Sequence, residues 1–217
     1  MSTFTLRNHV PPARVETIEA IFCYAGINWK LEVPQWPEEQ ENQPAGKLPV
    51  LVETTVGGNQ FVLSEILAIE AYLAKKFDLY GSETPEMIAR QAELRIQIND
   101  LYELIIMYKI GNEEERKVVL PKFVSTANAV VKYHEKILEG NGSNGHYFGS
   151  ETTYLDIILV AFFCALNNIA AFMPQSEEVF SQSKAPLMNK VFNTVSKDTK
   201  MTEFMASFDK KPATEKS

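Results

Sequence analysis

The apolar positions of this chain change period partway along it. Phe4 and Leu6 alternate with Thr3, Thr5 and Arg7, the pattern of a short strand with one buried face. Pro11 and Pro12 break that run. From Ala13 onward Val15, Ile18, Ile21, Phe22 and Ala25 recur at helical spacing, and Gly26 stands where a helix closes on a left-handed residue. Trp29, Leu31 and Val33 then alternate with Asn28, Lys30 and Glu32 and predict a second strand. A polar loop runs from Pro34 to Gly46. Lys47 to Val52 reads as a third strand with a proline inside it, and Val56-Gly57-Gly58-Asn59 has the composition of a hairpin turn leading to a fourth strand, Gln60 to Leu63. Ile66 to Phe77 predicts a helix burying Ile66, Leu67, Ile69, Ala71, Tyr72 and Leu73. The expected order is βαβ followed by ββα.

Beyond a short polar stretch at Gly81 to Pro85, which reads as a linker, the period is helical almost throughout. Glu86 to Ile110 predicts one long helix. Glu113 to Lys117 reads as a charged turn before a second helix from Pro121 to Glu139, and the Gly/Asn/Ser run 140–145 as a loop. Thr153 to Phe172 is almost wholly apolar and predicts a central buried helix, with shorter helices over Leu187 to Ser196 and Thr202 to Phe208 and a polar tail after them. Thr153-Tyr154-Leu155-Asp156 has the Ser/Thr-x-x-Asp/Glu form of a capping box, a structural signal that starts the central helix. The fold class is therefore α/β plus all-α, with an α/β domain over residues 1–80 and an all-helical domain over 81–217.

Composition narrows the function classes. Lys and Arg number 21 against 28 Asp and Glu, a net charge of −7. No basic stripe is available to neutralise phosphates, which excludes an ordinary nucleic-acid binder. The longest apolar run, Ile157 to Leu166, falls far short of the ~20 residues that span a bilayer, so no membrane partner is expected. Met1 to Arg7 lacks the basic and apolar segments of a signal peptide. The two cysteines, Cys23 and Cys164, sit in apolar helical contexts and read as buried thiols in a reducing compartment, so the cytoplasm is the expected location. His134 and His146 have no metal-ligand partners at useful spacing, and no Cys-x-x-Cys, Walker loop or dinucleotide glycine pattern is present.

Pro49 carries the most information in the first half. Proline removes a ladder donor and is excluded from central strands unless something compensates. In thioredoxin-like folds the position before a ββα unit is held by a cis-proline, which leaves the backbone of the preceding residue free for a peptide-like ligand. Around it the chain resembles the cytosolic glutathione transferases, most closely their sigma-like branch. The segments that carry the resemblance are IEAIFCYAGINW from Ile18, WPEEQENQPAGKLPVL from Trp36, LAIEAYLAKKFDLYG from Leu67 and GSETTYLDIILV from Gly149. It covers essentially the whole chain. It implies a thioredoxin-like N-terminal domain with a cis-proline, a helical-bundle C-terminal domain, a homodimer, glutathione as co-substrate and an apolar electrophile as second substrate.

By the same resemblance, Lys47 and Leu48 before Pro49 pair through their main chain with the cysteinyl part of glutathione, and Trp36 contacts its glycyl end. Arg14 holds the local structure of the site. Glu65 approaches the γ-glutamyl group, and Asp100 is close to where a partner-subunit acid reaches the γ-glutamyl ammonium. Tyr102, Ile105 and Tyr108 are candidate walls for the electrophile, or core packing between helices. Three positions depart from the pattern. The catalytic tyrosine is replaced by Asn8, whose neutral amide is a shorter hydrogen-bond donor to the sulfur. The serine after the Glu/Gln is Ile66, and a loop lysine that would face the glycyl carboxylate is Gln40. His9, next to Asn8, is aimed to the opposite side by strand alternation. The expected function is weak conjugation of glutathione to apolar electrophiles. The alternative is a non-catalytic structural, storage or interaction protein on the same scaffold.

Overall fold

The computed structural model describes residues 2–9, 15–170 and 173–208. Arg14, Pro11 and Pro12 lie outside the described residues. The N-terminal domain is a four-stranded mixed sheet with two helices. Its elements are β1 (Thr3–Arg7), α1 (Glu16–Ala25), β2 (Trp29–Glu32), β3 (Val50–Thr54), β4 (Gln60–Ser64) and α2 (Ile66–Lys76). The strand order is β2-β1-β3-β4. β1 runs parallel to β2 and antiparallel to β3, with Leu6 opposite both Leu31 and Leu51. The alternation of β1 is realised as expected: Phe4 and Leu6 are buried. α1 ends on Gly26 at φ 68°, whose N–H bonds back to the carbonyls of Phe22 and Cys23.

β2 departs from its pattern. Trp29 is half-buried, but Leu31 and Val33 are exposed at the outer edge of the sheet, where β2 is the last strand. The third strand also starts later than the periodicity suggests. It begins at Val50, and the Leu48–Pro49 peptide immediately before it is cis, as the position of the proline led us to expect. A second cis bond, Trp36–Pro37, opens the loop between β2 and β3, a feature that the sequence reading did not anticipate.

The C-terminal domain is helical: α3 (Pro85–Ile110), α4 (Glu113–Gly140), α5 (Tyr154–Ile169), α6 (Gln175–Val179), α7 (Pro186–Val195) and α8 (Thr199–Phe208). α4 begins at Glu113, not Pro121. The acidic stretch read as a turn is its first turn, fixed by Asn112 accepting from the Glu115 N–H while the Glu115 carboxylate accepts from the Asn112 N–H. Three consecutive glutamates there suit the positive end of the helix, and Pro121 sits inside it. α6 was not foreseen. α7 is started from outside itself: Glu135 on α4 accepts from the backbone N–H groups of Leu187 and Met188 at 3.0 and 2.8 Å. α5 is buried on nearly every face, which is why its sequence lacks polar periodicity.

Asp156 organises the start of α5. It reaches back to the Thr153 N–H, as the capping box predicts, and also accepts from the Thr153 hydroxyl and the Tyr147 N–H, each at 2.8 Å. Its carboxylate is fully buried. His146 Nδ1 lies 3.8 Å from the same carboxylate, and that contact raises the imidazole pKa. His134, by contrast, is buried against the Tyr147 hydroxyl at 2.6 Å, and desolvation pushes its pKa down to about 3, so it stays neutral.

Two outcomes follow for this cluster. Asp156→Ala strands three buried donors and should lower unfolding stability by about 3 kcal/mol in denaturant titration, against which an unchanged midpoint would count. His146 stabilises the native state while protonated. That contribution is complete below the unfolded pKa of about 6.5 and fades as pH rises through the higher native value. The denaturation midpoint of His146→Asn should therefore vary less with pH, between about pH 6 and 8, than that of the wild type; parallel profiles would contradict the pairing.

Candidate functional site

A cleft of about 440 Å³ opens where the N-terminal sheet meets the helical domain, lined by Lys47, Leu48, Pro49, Glu65, Ile66, Leu67, Asn99 and Glu103. Three local structures build it. The first is the approach to β3. The strand ladder starts at Val50, which pairs with Arg7 and Ser64, so Leu48 lies outside it and its main chain takes no ladder bond. Pro49 brings no N–H of its own.

The second is the start of α2. Glu65 precedes the helix at φ 71°, ψ 120°, a conformation that costs a residue with a side chain roughly 1–3 kcal/mol and is concentrated at ligand clamps. The Glu65 side chain does not cap the helix. The first intrahelical bond runs from the Ile69 N–H to the Glu65 carbonyl, so the N–H groups of the first turn are directed out of the helix end, where its dipole favours negative charge.

The third is one face of α3. Arg95, Asn99 and Glu103 are spaced four residues apart and share that face. Arg95 is buried and grips Glu70 of α2 with two bonds, Nε to Oε2 at 2.7 Å and Nη2 to Oε1 at 2.9 Å. Glu70 also accepts from the Thr17 hydroxyl of α1 and, at 3.1 Å, from the Tyr154 hydroxyl of α5. Burial works against the Arg95 charge, and Glu70 more than offsets it, so the guanidinium is held above its ordinary pKa. Below Ile66 a second, narrow gap is bounded by Thr17, Ile66, Arg95, Asn99 and Tyr102 and is too tight for a water molecule. Among the described residues, the buried Arg95 Nη1 has no hydrogen-bond partner.

The sequence-derived candidates divide accordingly. Lys47, Leu48, Pro49, Glu65 and Ile66 are brought together in the cleft. Asp100 is exposed and does not line this chain's own cleft, where its neighbour Asn99 does; its expected contact is toward a partner subunit's ligand. Asn8 is buried at the end of β1, its N–H bonded to the Glu32 carbonyl at 3.1 Å. Trp36 is half-buried with its ring edge-on to His9, centroids 4.9 Å apart. Gln40 is exposed and donates to the Gly46 carbonyl at 3.2 Å. Tyr102 and Ile105 are core residues; the Tyr102 ring meets Phe162 edge-on at 5.2 Å, and burial holds its phenol pKa well above the ordinary value. Tyr108 is half-buried with the Arg116 guanidinium over its ring. Asn99, Glu103 and Leu67 were missed by sequence reasoning. The four-residue spacing from Arg95 was the available signal, but only once Arg95 is known to face inward.

The cleft thus combines an unladdered main-chain segment, an open helix N-terminus and two carboxylates. It can hold an extended peptide-like chain on one side and a zwitterionic end on the other. Residues 99–208 match the family model of the glutathione S-transferase C-terminal domain. The chain is 30% identical to probable glutathione S-transferase 6 of Caenorhabditis elegans, over 68% of this chain and 72% of the relative. It is 23% identical to S-crystallin 2 of Octopus vulgaris over 95% and 97%. The solved structure of the Fasciola hepatica sigma class GST superposes with a TM-score of 0.77 at 21% identity, covering 95% of this chain and 96% of that one.

The junction beneath the cleft gives a stability test. Arg95→Leu leaves Glu70 buried without its cation and should cost about 3–5 kcal/mol. Arg95→Lys keeps the charge while losing the two-pronged grip, and should cost less. Equal stability of the leucine variant and the wild type in denaturant titration would show that the pair does not hold the domains together.

Proposed function

This chain belongs to the glutathione S-transferase family, and from that premise we propose that it binds glutathione in the cleft and conjugates it slowly to apolar electrophiles. The observation that carries the reading is the composition of the cleft. Glutathione is an extended tripeptide with a zwitterionic γ-glutamyl end. Leu48, ahead of the cis Pro49, offers main-chain groups to the cysteinyl part. The first-turn N–H groups at Ile66 and Leu67 suit the γ-glutamyl carboxylate, and Glu65, Asn99 and Glu103 suit its ammonium.

On this reading the sulfur lies toward the end of β1, and Asn8 is the residue that donates to it. A neutral amide stabilises a thiolate less than a phenol does, so the nucleophile is scarcer at neutral pH. The half-buried Tyr108 is our remaining candidate for a wall against the electrophile. We place the domain division at residues 80 and 81, the protein in the cytoplasm and its assembly as a homodimer, in keeping with the family. The second reading is a non-catalytic structural, storage or interaction protein. It is favoured by the burial of Asn8 and by the similarity to a relative named S-crystallin along nearly its whole length.

Retention on immobilised glutathione and calorimetric binding test the first reading. Asn8→Tyr should raise the conjugation rate with a chlorodinitrobenzene electrophile by about tenfold or more while changing glutathione affinity less than about threefold, because the residue acts on the thiol proton and not on the peptide. A wild type that binds glutathione yet gains no rate from this substitution would support the non-catalytic reading. A wild type that does not bind glutathione would refute the first.

A further inference from the structure

Another cavity lies within the helical domain, between α5, α6 and α7, and shares no lining residue with the cleft. Its volume is about 180 Å³, and its walls are Phe163 and Leu166 of α5, Phe180 at the end of α6 and Phe192 of α7. Phe163 stands between the other two rings, with centroids 5.8 Å from Phe180 and 5.5 Å from Phe192, so the three form one continuous aromatic wall. The buried Ser176 hydroxyl donates to the Met173 carbonyl at 2.7 Å, which leaves no donor unmet on that side. A cavity of about 150 Å³ lined by Leu, Ile and Phe holds benzene, so this one has room for a single substituted ring. The polar groups that matter here are half-buried or exposed. Asn189 is held by its Nδ2, which donates to the carbonyls of Phe180 and Ala185 at 2.9 and 2.8 Å; its Oδ1 accepts no hydrogen bond among the described residues. Glu177 is exposed and forms no ion pair among the described residues, and Lys184, in the loop after α6, is taken by Glu178 at 2.7 Å. The lining thus holds one carboxylate and no cation. An ammonium there meets a carboxylate, an amide oxygen and the electron-rich faces of the rings, whereas an anion meets a charge of its own sign.

We propose that this cavity is a second ligand site, for arylalkylamines: a single aromatic ring seated against Phe163, Phe180 and Phe192, with its ammonium at the mouth between Glu177 and the Asn189 Oδ1. The site is independent of glutathione and of the reading given to the cleft. The ring supplies most of the affinity by burying apolar surface and by packing edge or face against the three phenylalanines. Glu177 supplies the charge selection, and because it is exposed its share is small.

The test uses phenethylamine, 2-phenylethanol and 3-phenylpropanoate, which share the ring and differ in charge. Titrated into the isotope-labelled full-length protein and followed by two-dimensional NMR, the amine should give saturable shifts centred on Phe163, Phe180, Asn189 and Phe192, with a dissociation constant on the order of 1 mM. It should bind about threefold more tightly than the alcohol, and the acid should bind more weakly than either. Saturating S-hexylglutathione should leave these shifts in place. Glu177→Gln, an exposed position that the fold does not depend on, should erase the advantage of the amine over the alcohol and leave the alcohol unchanged. Leu166→Phe, which fills the cavity, should abolish binding of all three. The proposal is overturned if phenethylamine at roughly ten times the expected dissociation constant gives no saturable shift at the four residues, or if the amine and the acid bind equally. It is also overturned if S-hexylglutathione displaces the amine, which would place the amine in the cleft.

Discussion

The fold turns on a carboxylate that never meets water. Glu70 lies at the junction of the two domains and is held by donors from three other helices: Thr17 on α1, Arg95 on α3 and Tyr154 on α5. Removing two opposite charges from solvent is expensive, and their attraction compensates only when geometry and additional hydrogen bonds are both good. That requirement leaves α2 and α3 little freedom to slide. The N-terminus of α2 lies one turn before Glu70, and Asn99 and Glu103 lie one and two turns beyond Arg95 on the same face. The distance across the cleft is therefore set by an ion pair buried below it.

The same arrangement explains why the cleft is well formed. Main-chain features persist there: the cis bond before Pro49, the positive φ at Glu65 and the open first turn of α2. They depend on backbone geometry, which the junction and the sheet enforce. Side-chain chemistry is set separately, and the resemblance places its expected departures there, at Asn8 and Ile66. Arg95 illustrates the division. Its charge is committed to architecture: Nε and Nη2 bind Glu70, and the buried Nη1 has no hydrogen-bond partner among the described residues.

Much of this was legible in the sequence where the signal is local. Pro49 marked the cis bond, Gly26 the end of α1, and Thr153 with Asp156 the start of α5, because each depends on residues within a few positions of one another. The failures were of other kinds. Pro121 reads as a helix start by composition, yet α4 starts at the Asn112–Glu115 cap more than one turn upstream. The alternation of β2 promised a buried face, but burial depends on what packs against a strand, and β2 lies at an edge. Asn99 and Glu103 passed unnoticed because the inward face of α3 is decided by Glu70, a residue 25 positions from Arg95 in another domain. The unsatisfied Arg95 Nη1 left no trace in the sequence, since it is a property of contact between domains.

The most direct test of the account is a crystal structure with an S-alkyl glutathione bound. The cysteinyl main chain should pair with Leu48 beside Pro49, and the γ-glutamyl ammonium should lie among Glu65, Asn99 and Glu103. A ligand seated elsewhere would contradict it.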